Sequence, residues 1–275
     1  MPSLPLPDLL ALALTLAAVG CLSGFLAGLL GIGGGIVVVP ALYFVLNHFG
    51  ISPDLQPHIA VGTSLATIIP TSILSMRTHS GKGSVDWDLA KRWAVWIALG
   101  VIAGLVIAAS VKGATLTAIF GVVAAVVAVQ LALTPEGAHL TAQLPGAPLF
   151  QLFGAGIGAF STLMGIGGGT LSVPVLSLCN YPTRRAIGTA SVLGCIIAVP
   201  GTLGFIWDGF GRAGLPPWSL GYVWLIGFAC IAGSSIFFAP IGARTAHRVN
   251  VFWLRKLFAL FLALTAVKML WAVGT

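Results

Sequence analysis

The chain has 275 residues, of which 58% are hydrophobic and 7% are charged, and its mean hydropathy is +1.06. Soluble globular domains carry roughly 25% charged residues, so this composition excludes an ordinary water-soluble domain and predicts an integral membrane protein. The formal net charge of +7 comes from basic residues in short loops between apolar segments. Because no dense basic block is present, we expect no nucleic-acid partner.

Ten apolar segments follow one another along the chain, and a transmembrane helix needs about 20 mostly apolar residues. The segments are 7–30, 36–50, 58–76, 91–111, 115–133, 147–164, 170–180, 185–206, 217–243 and 252–273. We therefore predict one all-α membrane domain made of two repeats, 1–140 and 141–275, with the first segment retained as a helix. Segment 170–180 is too short for a straight crossing and is a candidate half-helix or part of a re-entrant hairpin.

One ten-residue phrase occurs twice in the chain, 134 positions apart. Gly31 to Pro40 and Gly165 to Pro174 both begin with Gly-Ile-Gly-Gly-Gly, and they are identical at seven of ten positions. A shorter motif, Ala-Val/Ile-Gly-Thr, recurs at residues 60–63 and 186–189. The two halves are therefore predicted to have arisen by duplication.

The basic residues fall mainly on one side of the membrane if all ten segments cross it. Cytoplasmic loops carry an excess of Lys and Arg, so this bias places both termini outside the cytoplasm. Each half then has an odd number of crossings, which predicts two inverted repeats. The ten residues on the predicted cytoplasmic side are Arg77, Lys82, Lys91, Arg92, Arg184, Arg185, Arg244, Arg248, Arg255 and Lys256, and the three on the other side are Lys112, Arg212 and Lys268.

The paired Gly-x-Gly-Gly-Gly phrases, each ending in Pro and followed by Ala-Val/Ile-Gly-Thr, resemble the TauE/SafE family, the sulfite exporter type. The resemblance extends over nearly the whole chain. It is most specific at Gly31 to Pro40, Gly165 to Pro174, Gly62-Thr63 and Gly188-Thr189. It implies a multi-pass permease of a bacterial-type plasma (inner) membrane that moves sulfite, sulfonates or related organic anions.

The triplets Gly33-Gly34-Gly35 and Gly167-Gly168-Gly169 are predicted to interrupt membrane helices and to bind substrate. Glycine tolerates positive φ and lets a ligand approach the main chain. The helix after each break begins with free N–H groups at its positive end, which favours an anion. Pro40 and Pro174 are expected near the first turn of these helices. Inverted transporters commonly place two such breaks near the midplane.

Four hydroxyl side chains beside the breaks are candidate donors to an anion: Thr63, Ser64, Thr189 and Ser191. The alternative is that these hydroxyls bond to the preceding helical turn, and both interpretations stay open. Close helix packing is the alternative for the glycines, and we favour it for the isolated pair Gly100 and Gly104.

All six acidic residues fall at segment ends or in loops. A cation carrier or a carboxylate proton relay would need an acid within the hydrocarbon, so we expect an anionic substrate. Proton coupling would then use a histidine, an acid near the mouth or the anion itself. His58 could line the outer mouth, although an ordinary interfacial role is favoured, and His79, Arg77 and Lys112 are the other nearest titratable groups.

No nucleophile, base and orienting partner, and no metal-spaced set, lie within the apolar segments, so we predict no enzyme activity, no cofactor and no metal. The four cysteines are expected to be small buried hydrophobes. The expected partners are a small anion and membrane lipid, and the oligomeric state is left open, with a homodimer as one option. The rival functions are an anion channel of the same architecture, a permease for carboxylates or other organic anions, and a membrane enzyme or assembly factor.

Overall fold

The computed structural model describes residues 6–30, 33–133, 141, 144–245 and 251–274. Within these residues the chain forms ten α-helices and one short β-hairpin. The hairpin pairs β1 (Ser219–Leu220) with β2 (Val223–Trp224). The helices are α1 Leu6–Leu30, α2 Gly35–His48, α3 Gln56–Gly81, α4 Trp87–Ser110, α5 Gly113–Leu133, α6 Leu149–Met164, α7 Gly169–Leu178, α8 Thr183–Asp208, α9 Leu225–Thr245 and α10 Val251–Gly274.

Each predicted segment overlaps one of these helices, and the all-α membrane class is confirmed. Among the described residues, seven helices are long and apolar enough to cross a membrane, and α2, α6 and α7 are shorter. The ten residues of α7 extend about 15 Å, half of a hydrocarbon core of about 30 Å. Segment 217–243 differs from its prediction, because the β-hairpin occupies its first part and α9 begins at Leu225.

The centre of the fold is the pair of helices α3 and α8. Of their most apolar windows, 67% and 61% are buried, against 33% to 39% in the other long helices of the described chain. The two helices are antiparallel, since Leu65 of α3 lies against Gly201 of α8 and Ser72 lies against Gly194. The remaining long helices of the described chain expose large apolar side chains where lipid would be.

The same helix pairings occur in both halves of the chain. Helix α1 packs against α9 as α6 packs against α4, α3 packs against α9 as α8 packs against α4, and α2 packs against α3 as α7 packs against α8. Adding five to the helix numbers of the first half and subtracting five from those of the second converts one set of pairs into the other. Small residues allow the closest approaches, because a Cβ on Gly100 of α4 would lie 2.0 Å from the carbonyl oxygen of Ala155 in α6.

The connections gather at two ends of the helix bundle. At one end the α7–α8 turn meets the α3–α4 loop, where the Tyr181 hydroxyl donates to the Asp86 carboxylate at 2.5 Å. At the other end Gly113, the first residue of α5, lies against Asp54 in the α2–α3 loop. Gly214, between α8 and α9, lies against Leu55 at that same end. The basic loops 77–92 and 180–185 thus share one end, while which end faces the cytoplasm stays a prediction.

Pro40 and Pro174 lie further inside their helices than the sequence predicted. Helix α2 begins at Gly35 and α7 at Gly169, so each proline stands five residues after the first helical residue, beyond the first turn. The expectation of a first-turn position was therefore wrong. The reason is that each helix starts at the last glycine of its triplet rather than next to its proline.

Helix packing at Gly100 can be tested by adding one methyl group. We expect Gly100→Ala to lower the stability of the purified protein by about 1–3 kcal/mol, because the new Cβ would collide with backbone of α6. Gly156→Ala in α6 is the matched control, since nothing lies within 4 Å of its Cβ position. Thermal unfolding in detergent measures the difference, and equal midpoints for the two variants would contradict the tight α4–α6 contact.

Candidate functional site

Both glycine phrases interrupt helices. Helix α1 ends at Leu30 and α2 begins at Gly35. Between them, Gly33 and Gly34 have φ of +76° and +72°, a left-handed conformation that costs glycine little. Residues 31 and 32 lie outside the described part of the chain. In the second half, α6 ends at Met164, Gly165 follows with φ of +63°, and α7 begins at Gly169.

The two breaks lie against each other between α3 and α8. A Cβ on Gly33 would lie 3.0 Å from Cα of Gly167, and one on Gly35 would lie 2.3 Å from the carbonyl oxygen of Gly165. The hydroxyl of Ser64, on α3, donates to that same Gly165 oxygen at 2.6 Å. Only glycines allow the two backbones to approach this closely, so the triplets are needed for the contact itself.

A cleft opens beside the breaks, in the half of the α3–α8 pair that is nearest to the α3–α4 loop and the α7–α8 turn. Its free space is about 240 Å³ counted to the open mouth, but the centre of a water molecule can occupy only about 10 Å³ of it. The cleft is therefore narrow in this conformation, with room for about one water. None of its lining residues is charged; they are Ala27, Gly33, Thr71, Ser72, Ser75, Gly167, Gly168, Gly169, Ala190, Ser191 and Gly194.

Several lining groups are free hydrogen-bond donors. The backbone N–H groups of residues 167–169 bond to no backbone carbonyl in the described structure, because no helical turn precedes the start of α7. The hydroxyls of Ser72 and Ser75 also make no hydrogen bond with the described residues. By contrast, Thr71 donates to the Thr67 carbonyl at 3.0 Å and Ser191 donates to the Gly188 carbonyl at 2.6 Å. The residues that line the cleft thus carry three amides and two hydroxyls without a partner among the described residues.

Gly194 of α8 lies where two of these donors converge. A Cβ at this position would lie 2.6 Å from the Ser72 hydroxyl oxygen and 3.8 Å from the Gly168 nitrogen. Both groups therefore border the space next to the Gly194 backbone. A side chain at this position would occupy that space and exclude a ligand.

The ten residues predicted to bind substrate divide into two groups. The cleft is lined by Gly33, Gly167, Gly168, Gly169 and Ser191, whereas Gly34, Gly35, Thr63, Ser64 and Thr189 do not line it.

Gly33 reaches the cleft, but the start of helix α2 that follows it does not. A Cβ on Gly34 would lie 2.7 Å from the Ser23 carbonyl oxygen, and Gly35 lies against Gly165. The N-terminus of α2 therefore faces a carbonyl at the end of α6, and the N-terminus of α7 is the one that borders the cleft.

The Gly-Thr motifs make equivalent contacts in the two halves. The Thr63 hydroxyl oxygen accepts from the Trp224 N–H at 2.9 Å, and that of Thr189 accepts from the Asp86 N–H at 3.0 Å. Trp224 and Asp86 each directly precede a long helix, α9 and α4 respectively. The preceding glycine of each motif lets the same connection approach closely, since a Cβ on Gly188 would lie 2.3 Å from the Ser84 carbonyl oxygen. Each motif therefore anchors the start of a helix in the other half.

Gly194 and the three hydroxyl residues of α3 that line the cleft were not identified from the sequence. Thr71, Ser72 and Ser75 lie within the third predicted segment, and a hydroxyl-rich run there was the available signal. The corresponding stretch of the second half, residues 197–201, carries no hydroxyl. This asymmetry distinguishes the two halves at the cleft.

The titratable candidates lie away from the cleft. The ring nitrogens of His58 lie 3.0 Å from the Asp54 carbonyl oxygen and 3.1 Å from that of Ala108. Its ring packs on Tyr222, with centroids 5.1 Å apart, so His58 is buried among the connections at the far end. Arg77 is exposed at the end of α3. In the part of the chain that the structure describes, no group of three or more His, Cys, Asp or Glu residues could hold a metal ion.

The fold defines a multi-pass α-helical membrane protein. The family model "Sulfite exporter TauE/SafE" matches residues 16–269, and the chain belongs to this family, as the sequence motifs predicted. Family membership makes the protein a membrane transporter.

Several relatives carry the same general description. A probable membrane transporter protein of Haemophilus influenzae is 36% identical over 91% of this chain and 95% of its own length. One of Xylella fastidiosa is 30% identical over 92% of each chain. One of Methanocaldococcus jannaschii is 28% identical over 85% and 84%, respectively. No solved structure matches the chain.

The link between the two loops at the cleft end has a pH dependence that can be measured. The pKa of Asp86 is lowered, chiefly by the hydrogen bond from the Leu89 N–H and next by the Tyr181 hydroxyl. A lowered folded-state pKa stabilises the fold above the unfolded value of about 3.9, and the contribution is lost as pH falls through the folded value. Asp86→Ala should therefore cost about 1 kcal/mol at neutral pH, through the lost helix cap.

The destabilisation should shrink as pH falls from about 4, the unfolded value, through the lower folded value, where the carboxylate of the folded parent protein becomes protonated. Asp88→Ala is the matched control, because Asp88 is exposed in the first turn of the same helix. Unfolding midpoints across pH compare the two variants with the parent. A constant difference between Asp86→Ala and the parent at every pH would show that the charge of Asp86 is irrelevant.

Proposed function

We propose that the protein is a secondary transporter that moves a small anion, sulfite or a sulfonate, across a bacterial-type plasma (inner) membrane by alternating access. The observation that carries this proposal is the uncharged cleft at which three free N–H groups of residues 167–169 and the hydroxyls of Ser72 and Ser75 are available as donors. The family description, which names a sulfite exporter, supports the choice of substrate class.

Neutral donors suit an anion that must both enter and leave. The start of α7 carries partial positive charge from the helix dipole, and its N–H groups bind anions readily. Hydrogen bonds to an ionised acceptor are stronger than neutral ones, so several donors can replace the water around a sulfonate or sulfite group. A fixed Lys or Arg would add a counter-charge that is expensive to bury whenever the anion has left.

The repeated helix pairings support two inverted repeats as the basis of alternating access. Helices α3 and α8 are equivalent and antiparallel. The same correspondence between the two halves converts the pairing of α1 with α9 into the pairing of α6 with α4. Inverted repeats allow one sequence arrangement to open toward either side of the membrane. With the basic loops on the cytoplasmic side, both termini are non-cytoplasmic and the cleft opens toward the cytoplasm.

Transport in proteoliposomes tests the proposed function directly. We expect saturable uptake of at least one anion from a panel of sulfite, thiosulfate, sulfonates and carboxylates, together with counterflow of labelled substrate. A channel would instead pass current without exchange, and transport of cations but of no anion on the panel would overturn the proposal. Preference for carboxylates would support transport of an anion but would change the proposed substrate class.

A single methyl group at Gly194 should block the cleft. Its Cβ would contact the Ser72 hydroxyl, which can rotate away, so Gly194→Ala should fold while occupying the space beside the Gly168 N–H. We expect anion uptake at subsaturating concentration to fall about tenfold or more, as loss of one hydrogen bond to a charged group would give. Gly233→Ala, a helix glycine with nothing within 4 Å of its Cβ position, is the matched control.

Both variants should elute as the parent protein does in size-exclusion chromatography. Uptake by Gly194→Ala equal to that of Gly233→Ala would show that the anion binds elsewhere.

A further inference from the structure

Four buried hydroxyl groups of the described chain have no hydrogen-bond partner, those of Ser161, Ser172, Thr202 and Ser219. Two of them belong to helices α6 and α8. Ser161 is in the last turn of α6 and is 0% exposed, and Thr202 of α8 is 6% exposed. Leaving a buried hydroxyl unpaired is costly, and such a group in a native structure requires an explanation.

Ser161 occupies the place in the second half that Ala27 has in the first. The two glycine phrases are offset by 134 residues, and the same offset carries Ala27 to Ser161. Ala27 lines the open cleft. If the halves are inverted repeats, Ser161 belongs to an equivalent cleft at the opposite end of the α3–α8 pair.

The helix pair α3 and α8 supports the same relation. The Gly-Thr motifs are offset by 126 residues, which carries Leu65 to Ser191 and Ser75 to Gly201. Ser75 and Ser191 both line the open cleft. Their counterparts are in contact, since a Cβ on Gly201 would lie 3.1 Å from Cδ1 of Leu65. Equivalent positions of α3 and α8 thus border free space at one end of the helix pair and pack against each other at the opposite end.

A second contact closes the same region. Ser64 is the counterpart of Ala190, another cleft residue, and its hydroxyl donates to the Gly165 carbonyl oxygen at 2.6 Å. Gly165 follows the last turn of α6, which contains Ser161. Thr202 directly follows Gly201 in α8. The unpaired hydroxyls therefore lie next to the two contacts, the leucine packed on Gly201 and the Ser64 hydrogen bond.

We propose that Ser161 and Thr202 line a second half of the anion pathway, which opens toward the α2–α3 and α8–α9 connections and is closed here by Leu65. This inference rests on the proposed function. When Leu65 leaves Gly201 and Ser64 releases the Gly165 oxygen, the two hydroxyls become donors to water or to the anion. The hydroxyls are unpaired in this conformation because their ligands enter only in the other one.

Cysteine labelling from each side of the membrane tests this inference. The background is the full chain with its native cysteines at positions 21, 179, 195 and 230 replaced by alanine. Ser161→Cys and Thr202→Cys are the two test variants, and Ser75→Cys reports on the open cleft. Exposed Ser52, in the α2–α3 loop, and exposed Ser80, at the cleft end of α3, give the controls Ser52→Cys and Ser80→Cys. The probe is a membrane-impermeant maleimide added to one side of oriented vesicles.

We expect Ser161→Cys and Thr202→Cys to react from the side that labels Ser52→Cys, and Ser75→Cys to react from the side that labels Ser80→Cys. The controls define the two sides, so the outcome does not depend on which of them is cytoplasmic. Adding Leu65→Ala should raise the labelling rate of Ser161→Cys at least fivefold and lower that of Ser75→Cys. A structural serine would show neither change.

Failure of the inference can be told apart from failure of the proposed function. Methanesulfonate, an anion that does not react with maleimide, should slow the labelling of Ser75→Cys if the open cleft binds anions. Protection of Ser75→Cys, with neither Ser161→Cys nor Thr202→Cys labelled from the Ser52 side even in Leu65→Ala, would overturn the second pathway alone. Absence of both protection and anion flux would overturn the proposed function. If one test variant fails to insert, the other decides.

Discussion

The fold depends on how two broken helices satisfy their backbone groups where no water is available. Unpaired N–H and C=O groups are costly within a bilayer, so non-helical backbone persists there only against protein or a cavity. The start of α2 is covered, because Gly35 lies against the Gly165 oxygen and Ser64 bonds to that same oxygen. The start of α7 is not, since residues 167–169, whose N–H groups have no backbone partner in the described structure, line the cleft. One of two related helix ends is thus left for a ligand.

The surrounding structure maintains this difference between the two ends. The central helices α3 and α8 pack closely through Leu65 and Gly201 at one end and separate around Ser75 and Ser191 at the other. The Gly-Thr motifs attach each central helix to the start of a long helix from the other half. Any change in the angle between α3 and α8 would therefore be transmitted to α4 and α9, which is a suitable linkage for a transporter that opens toward alternate sides.

Most of the architecture could be predicted from the sequence, because hydropathy and glycine chemistry act locally. The ten segments, the two helix breaks and the short α7 all follow from such local patterns. The β-hairpin before α9 could not be found this way, since residues 219–224 are as apolar as a helix. The roles of Thr63 and Thr189 were also hidden, because their hydrogen-bond partners lie 161 and 103 residues away in the chain. Ser72 was missed for a similar reason, since only folding places it beside Gly194 and Gly168.

Whether uncharged donors at the start of α7 hold the anion can be seen most directly with selenite, a heavier analogue of sulfite with a strong anomalous X-ray signal. In crystals of the protein soaked with selenite, we expect one anomalous peak in the cleft, with oxygen atoms about 2.7–3.2 Å from the backbone nitrogens of residues 167–169. Anomalous peaks confined to the basic loops, with none beside the start of α7, would contradict an anion site built from helix-end amides.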